Sequence, residues 1–242
     1  MQFKAKDLAL TCIFASLYAL LSLVSLFPII GSVGRFITLA AVLAPVMGIL
    51  LGPYFGAFAA SIGGFLGWSI TQTGAFSFLS FVPGATTALA SGLLYNDKRK
   101  LSGLMYSTLF LALAFYPTIG PAWIYPYYLW FQLIGLIVLL SPLSLLAIKS
   151  VRQDSTFKLL SFGVAVISLI STLTGQMIGN LMFELTYWPT ILPQVEYWRI
   201  AQWQLLTFVY PIERFITTFL AVLAGMPLIK AVRAYGFEMG GR

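Results

Sequence analysis

The chain has 242 residues, of which 60% are hydrophobic and only 9% charged, and it carries a formal charge of +7. A water-soluble domain carries about 25% charged residues, so a mean hydropathy of +0.92 leaves too little polar surface to coat one. The single cysteine, Cys12, excludes an internal disulfide, and the lack of histidine removes the commonest general base and metal ligand.

Backbone amides in lipid must bond within the chain, which limits membrane spans to helices or closed barrels. The apolar runs here are continuous rather than alternating, and so predict helices. The reading is an all-α, polytopic transmembrane bundle forming one domain over residues 1–242. The first run, 7–27, follows Lys4 and Lys6 as a signal peptide would. It is longer than a signal's apolar core and no small-x-small cleavage site follows it, so it reads as an uncleaved span. Ala15 and Ala19 set small residues on one face of this span, with Cys12 and Ser22 close by. Such a stripe docks either within the bundle or against another membrane protein.

The next runs cover 36–51, 53–71 and 76–95. Small residues recur four apart here, at Gly52, Gly56, Ala60 and Gly64, and again at Gly84, Ala88 and Gly92. That spacing lets helix backbones approach closely in lipid, and predicts tight packing between the third and fourth spans. Runs at 101–116, 127–148, 158–183 and 206–232 complete a count of about eight. The second and fifth fall short of the roughly 20 residues needed to cross the hydrocarbon core.

Charge tests the count. With the N-terminus inside, eight spans put Lys4, Lys6, Lys98, Arg99, Lys100, Lys149, Arg152, Lys158, Lys230, Arg233 and Arg242 on the inner side. Only Arg35, Arg199 and Arg214 fall outside, the bias expected of cytoplasmic loops, and both termini are then cytoplasmic. This distribution accounts for the net charge without any nucleic-acid partner. Removing one hairpin keeps the bias, so the sequence admits six spans as well as eight. Two aromatic runs fall outside: Pro121 to Trp130, with Tyr127 and Trp130, and Thr186 to Trp203, with Trp188. They read either as an interfacial belt or as a stacking wall for a flat ligand.

The feature order of the first 100 residues resembles the substrate-binding S component of energy-coupling factor (ECF) vitamin transporters. The residues that carry it are the basic start "FKAKDLAL", Ala15 and Ala19, the loop "FPIIGSVGR", then "LAPVMGILLGPYFGAFAASIGGFLG" and "FVPGATTALASGLLYNDKRK". The resemblance implies a prokaryotic cell-membrane protein without a cofactor of its own. It would capture a small water-soluble vitamin or related heterocycle from outside and work with a membrane coupling subunit driven by two ATPase subunits. By the same resemblance, Ala15 and Ala19 dock on the coupling subunit. S components usually have six spans, against the eight counted here. The chain has no Gly-x-x-x-x-Gly-Lys-[Ser/Thr] loop, so ATP hydrolysis by that route belongs to partner chains.

The segment "TLTGQMIGNLMFELTYW" carries Thr172, Gln176, Asn180 and Glu184 four residues apart, one polar line on a helix. Side chains of this kind facing lipid forfeit hydrogen bonds worth several kcal/mol each, so they must face protein or a wet cavity. Helical rise sets Thr172 about 18 Å below Glu184. Gly175 and Gly179 adjoin the line and admit another helix or a ligand. Glu213, Arg214, Thr217 and Thr218 lie just inside the outer end of the last span, with Arg214 expected to pair with Glu184 or Glu213. Two readings stay open. Gln176, Asn180, Glu184 and Arg214, with Tyr127, Trp130 and Trp188, rim a substrate pocket; or the amides bond helices together and the charges snorkel to the interface.

The outer arginines (Arg35, Arg199, Arg214) roughly cancel the outer glutamates (Glu184, Glu196, Glu213), which argues against a strongly charged substrate. No catalytic constellation and no Cys/His metal cluster is present in the sequence. The reading is therefore a transport subunit rather than an enzyme. The alternatives are a stand-alone secondary transporter, which would need ion coupling, or an intramembrane enzyme using Glu184 or Glu213 as a base.

Overall fold

A computed structural model describes residues 5–29, 36–71, 78–79, 81–117, 120–153, 155–191, 195–236 and 239–240; the side chains of 5–7, 186–191 and 195–199 lie outside the description. The described chain is almost entirely helical. In order come α1 (Ala5–Leu21), β1 (Ser25–Pro28), β2 (Phe36–Thr38), α2 (Ala40–Leu51), α3 (Pro53–Thr71), α4 (Phe81–Tyr95) and α5 (Arg99–Ala114). The short α6 (Pro121–Ile124) and a 3-10 turn (Pro126–Leu129) lead into α7 (Trp130–Leu140), α8 (Pro142–Arg152), α9 (Phe157–Ile191) and α10 (Val195–Ala234). The sequence did not lead one to expect strands. Yet β1 and β2 form a small antiparallel ladder, with Phe27 opposite Ile37 and Pro28 opposite Phe36.

Each of the eight predicted runs contains helix, but their lengths differ from expectation. By length and apolar composition, the Phe157–Leu185 part of α9 and the Ile200–Ala234 part of α10 can cross a membrane. The Pro126–Leu140 and Pro142–Arg152 pair makes up to three spans if its two legs count as one. The second run is the clearest shortfall. Its first residues form β2, and α2 is only 12 residues long. Eleven of those 12 are buried, from Ala40 to Leu51, so α2 is a core helix rather than a lipid-facing one.

Small residues fix how α1 to α4 pack. On α3 the small residues Gly56, Ala59, Ala60, Gly63, Gly64 and Gly67 are buried, whereas Tyr54, Phe58, Ile62, Phe65, Leu66 and Ile70 are exposed. That is small inside and large outside, as suits a helix surrounded by lipid. The expected contact between the third and fourth spans is present: a methyl group on Gly64 would come within 2.6 Å of Phe81 Cβ. The stripe serves other neighbours too. A methyl on Gly56 would meet Gly48 Cα of α2 at 2.9 Å, and one on Gly63 would meet the Ala15 carbonyl of α1 at 2.4 Å. Gly52 joins α2 to α3 with φ +83°, a conformation glycine takes at no steric cost, and Pro53 then opens α3 without needing a hydrogen-bond partner for its nitrogen.

The bend between α7 and α8, 65° at Ser141, has a local cause. Pro142 has no N–H to give the Val138 carbonyl, and its ring blocks a continuous helix. The Ser141 hydroxyl donates to Val138 O instead (2.8 Å), and Ser144 donates to Leu139 O (2.8 Å). Arg99 then reaches across from α5. Its Nε donates to Leu139 O (2.8 Å), and its Nη2 donates to Leu140 O and to Ser141 O (3.0 Å). Other basic residues gather at the same end of the bundle. Arg152 pairs with Asp97 at 3.6 Å, and Arg233 donates to Val151 O. Three basic clusters that the sequence reading assigned to one side of the membrane thus meet at one end of the molecule.

Candidate functional site

The site is built where α7, α9 and α10 come together. On α9 the polar line is realised as one continuous helix: Thr172 (2% exposed), Gln176 (7%) and Glu184 (5%) are buried, and Asn180 is half-buried. Asn180 is fully engaged. Its Nδ2 donates to the Tyr128 hydroxyl (2.5 Å), and its Oδ1 accepts from the Tyr210 hydroxyl (3.2 Å). Tyr128, fully buried, stacks obliquely on Trp203 with centroids 4.5 Å apart and meets Tyr210 edge-on at 6.2 Å. The result is a clasp of three rings around one amide.

Register fixes what lies beneath the clasp. Tyr128, in the 3-10 turn, meets Asn180; seven residues on, in α7, Gly135 faces Leu173, seven residues back along α9, with a methyl on Gly135 falling 2.6 Å from Leu173 Cδ1. The two helices therefore run antiparallel in a register that sets Gln132 opposite Gln176. Similarly, Tyr210 meets Asn180, and a methyl on Gly225 would lie 3.5 Å from Val164 Cγ1, which brings Arg214 to the level of Gln176. One turn below the clasp, three helices thus contribute Gln132 (1% exposed), Gln176 and Arg214 (6%). Among the described residues, Gln132 Oε1, both polar atoms of Gln176 and Arg214 Nε have no hydrogen-bond partner. Buried polar groups are normally paired, and each one left unpaired costs about 1–3 kcal/mol.

The charges complete the picture. Arg214 Nη2 lies 3.6 Å from Glu213 Oε2, an ion pair with both side chains almost wholly buried. Sequence reasoning had put this pair near the water, because it started the last span at 206. Helix α10 instead begins at Val195, and Arg214 lies about 21 Å along it from Ile200. Both side chains are buried within the protein rather than reaching its surface, as snorkelling would have them do. Arg214 pairs with Glu213 of its own helix, not with Glu184. Both Glu184 carboxylate oxygens are buried without a hydrogen-bond partner among the described residues. Thr217 spends its hydroxyl on the Glu213 carbonyl (2.7 Å), whereas the Thr218 hydroxyl is unpaired among the described residues.

Of the aromatic residues named from sequence, Trp203 joins the clasp, whereas Tyr127 and Trp130 do not. Tyr127 is 73% exposed and points away, while its neighbour Tyr128 turns inward. Trp130 is half-exposed, and its Nε1 donates to Thr207 O at 3.1 Å. That carbonyl is free because Pro211, four residues on, has no N–H to give it. Trp130 thus braces α7 against α10 beside the site. The Trp188 side chain lies outside the described residues. Gly175 and Gly179 admit a helix, not a ligand: added methyls would strike Thr87 Oγ1 and Pro83 of α4 at 2.0 and 3.2 Å. Ala15 and Ala19 are buried against α3, where the Ala15 carbonyl meets Gly63 and the Ala19 carbonyl faces Gly67. Sequence reasoning missed Gln132 and Tyr210, and it held Tyr128 and Trp203 only as members of the two aromatic runs. Gln132 was visible as the one amide in "WFQLIGLIVLL", four residues after Tyr128.

A family model described as "ECF-type riboflavin transporter, S component" matches residues 2–136. No curated protein and no solved structure matches the chain. The matched stretch runs from the start of α1 into α7, and so includes Tyr128 and Gln132. It ends before α9 and α10, which supply Gln176, Asn180 and Arg214.

Proposed function

The chain belongs to the family of ECF-type riboflavin transporter S components, and from that premise we propose that it captures riboflavin or a closely related heterocycle from outside the cell for ATP-driven uptake. The family is one of transporter components, not of enzymes. The observation that carries the reading is the buried level of unpaired Gln132, Gln176 and Arg214 groups beneath a clasp of Tyr128, Trp203 and Tyr210. Rings on one side and unspent hydrogen-bonding groups on the other suit a flat, polar-edged molecule. The ion pair at Glu213 keeps Arg214 from demanding an anion. In this reading the helices form about eight membrane crossings with both termini cytoplasmic, and the basic end of the bundle is the cytoplasmic one. A membrane coupling subunit and its ATPases reorient the loaded chain. Because Ala15 and Ala19 are turned inward, the docking face on α1 is the opposite one, formed by Cys12, Ile13, Ser16, Leu17 and Leu20, all exposed.

The test is a titration of the purified chain with riboflavin, read by quenching of flavin fluorescence. Wild type should bind, and the double substitution Gln176→Leu, Asn180→Leu should abolish binding while leaving the thermal unfolding transition in place. Undiminished affinity in a folded double variant would reject the site.

A further inference from the structure

Among the described residues, the unpaired atoms at the level beneath the clasp differ in kind. Gln176 Nε2 and Arg214 Nε are donors, and Gln132 Oε1 and Gln176 Oε1 are acceptors. They come from three different helices, α9, α10 and α7, that the register brings to one height. With the Gln176 amide turned to donate, a donor from α9, an acceptor from α7 and a donor from α10 can meet an edge that offers acceptor, donor and acceptor. A cyclic imide, with its N–H between two carbonyls, is such an edge. We propose that Gln132 is a specificity-determining residue that accepts the imide N–H of the ligand, while Gln176 and Arg214 donate to the flanking carbonyls. This rests on the riboflavin reading, since the flavin ring carries an imide edge, and it adds the residue that tells that edge from others.

Chemistry favours Gln132 for the task. It sits on α7, held by the clasp at Tyr128 above and by the packing of Gly135 on Leu173 below. Its backbone carbonyl accepts from the Tyr106 hydroxyl at 2.8 Å, which ties α7 to α5 at that residue. The side chain is therefore placed by a fixed helix, as a group that must discriminate between ligands needs to be. A site built to hydrogen-bond a ligand N–H rejects an analogue lacking it, because its own buried acceptor is then stranded. The competing possibility is that the two glutamines rotate to bond each other and only glue α7 to α9.

The experiment is fluorescence titration of the purified full chain, as wild type, Gln132→Leu and Gln132→Glu, with riboflavin and with N3-methylriboflavin, whose imide proton is replaced. Wild type should prefer riboflavin by at least about tenfold, the effect of one well-placed buried hydrogen bond. Gln132→Leu should lose about tenfold in riboflavin affinity and cease to discriminate. Gln132→Glu keeps an acceptor of the same shape and should still favour riboflavin, which guards against a leucine variant that misfolds. If wild type discriminates and folded variants at position 132 discriminate equally well, or if the glutamate variant alone loses the preference, the role of Gln132 is overturned while riboflavin capture stands. If wild type binds the two compounds equally, the imide contact is overturned. If wild type binds neither, the riboflavin reading falls and this inference falls with it.

Discussion

Tyr127 and Tyr128 share one 3-10 turn, yet the first is 73% exposed and the second 1%. The difference decides which ring can matter to a ligand. Tyr128 accepts from Asn180 and stacks with Trp203; Tyr127 contacts only Tyr125, edge-on at 5.5 Å, among the ring pairs of the described residues. Interhelical hydrogen bonds in a membrane bundle contribute about 0.6 kcal/mol on average. Tyr128→Phe should therefore barely move the unfolding temperature, but it frees Asn180 to turn and should weaken riboflavin binding about tenfold in the same titration. Tyr127→Phe should leave affinity unchanged, and equal effects at the two positions would show that the clasp does not order the site. The sequence made the polar line on α9 legible because an amide every fourth residue is a helical signal that apolar neighbours cannot hide. It did not reveal which tyrosine faces inward. That choice is made in a turn of three residues per repeat, where the 3.6-residue period carries no information.

At the scale of elements, helix positions were readable and helix ends were not. Long apolar runs mark α9 and α10, but hydropathy alone did not reveal that α9 reaches Ile191 and α10 begins at Val195, nor that α2 stops after 12 residues. Small-residue spacing correctly announced close packing, yet left the partner open. The α3 stripe meets α1 and α2 as well as α4, because a helix lined with glycine on one face can lie at the centre of three neighbours. Helix α1 shows the consequence. Its alanine face is spent on α3, so Ser16→Trp should leave folding and riboflavin binding intact while abolishing co-purification with the coupling subunit. Ala15→Trp should instead disrupt packing against Gly63 and lower the yield of folded protein. A Ser16→Trp chain that still recovers the coupling subunit would show that docking lies elsewhere.

Across the whole molecule the polar groups divide between the two ends. At the basic end, arginines satisfy carbonyls: Arg99 at the α7–α8 bend and Arg233 at Val151. In the interior between α7, α9 and α10, Gln132 Oε1, both polar atoms of Gln176 and Arg214 Nε have no hydrogen-bond partner among the described residues. The first arrangement is self-sufficient and structural. The second is costly unless something completes it, and the family match, which stops at residue 136, leaves two of that level's three residues, Gln176 and Arg214, to the unmatched part of the chain. The composition of the chain announced a membrane protein and its small-residue pattern a family. Which polar groups meet in the interior emerges only from the pairing of helices far apart in sequence. Native mass spectrometry of the chain released from membranes of cells supplied with riboflavin tests this most directly. The wild-type protein should carry one molecule of flavin mass, and the Gln176→Leu, Asn180→Leu variant none. A wild-type chain that emerges bare, or a double variant that retains the flavin, would contradict the claim that these buried groups exist to hold a solute.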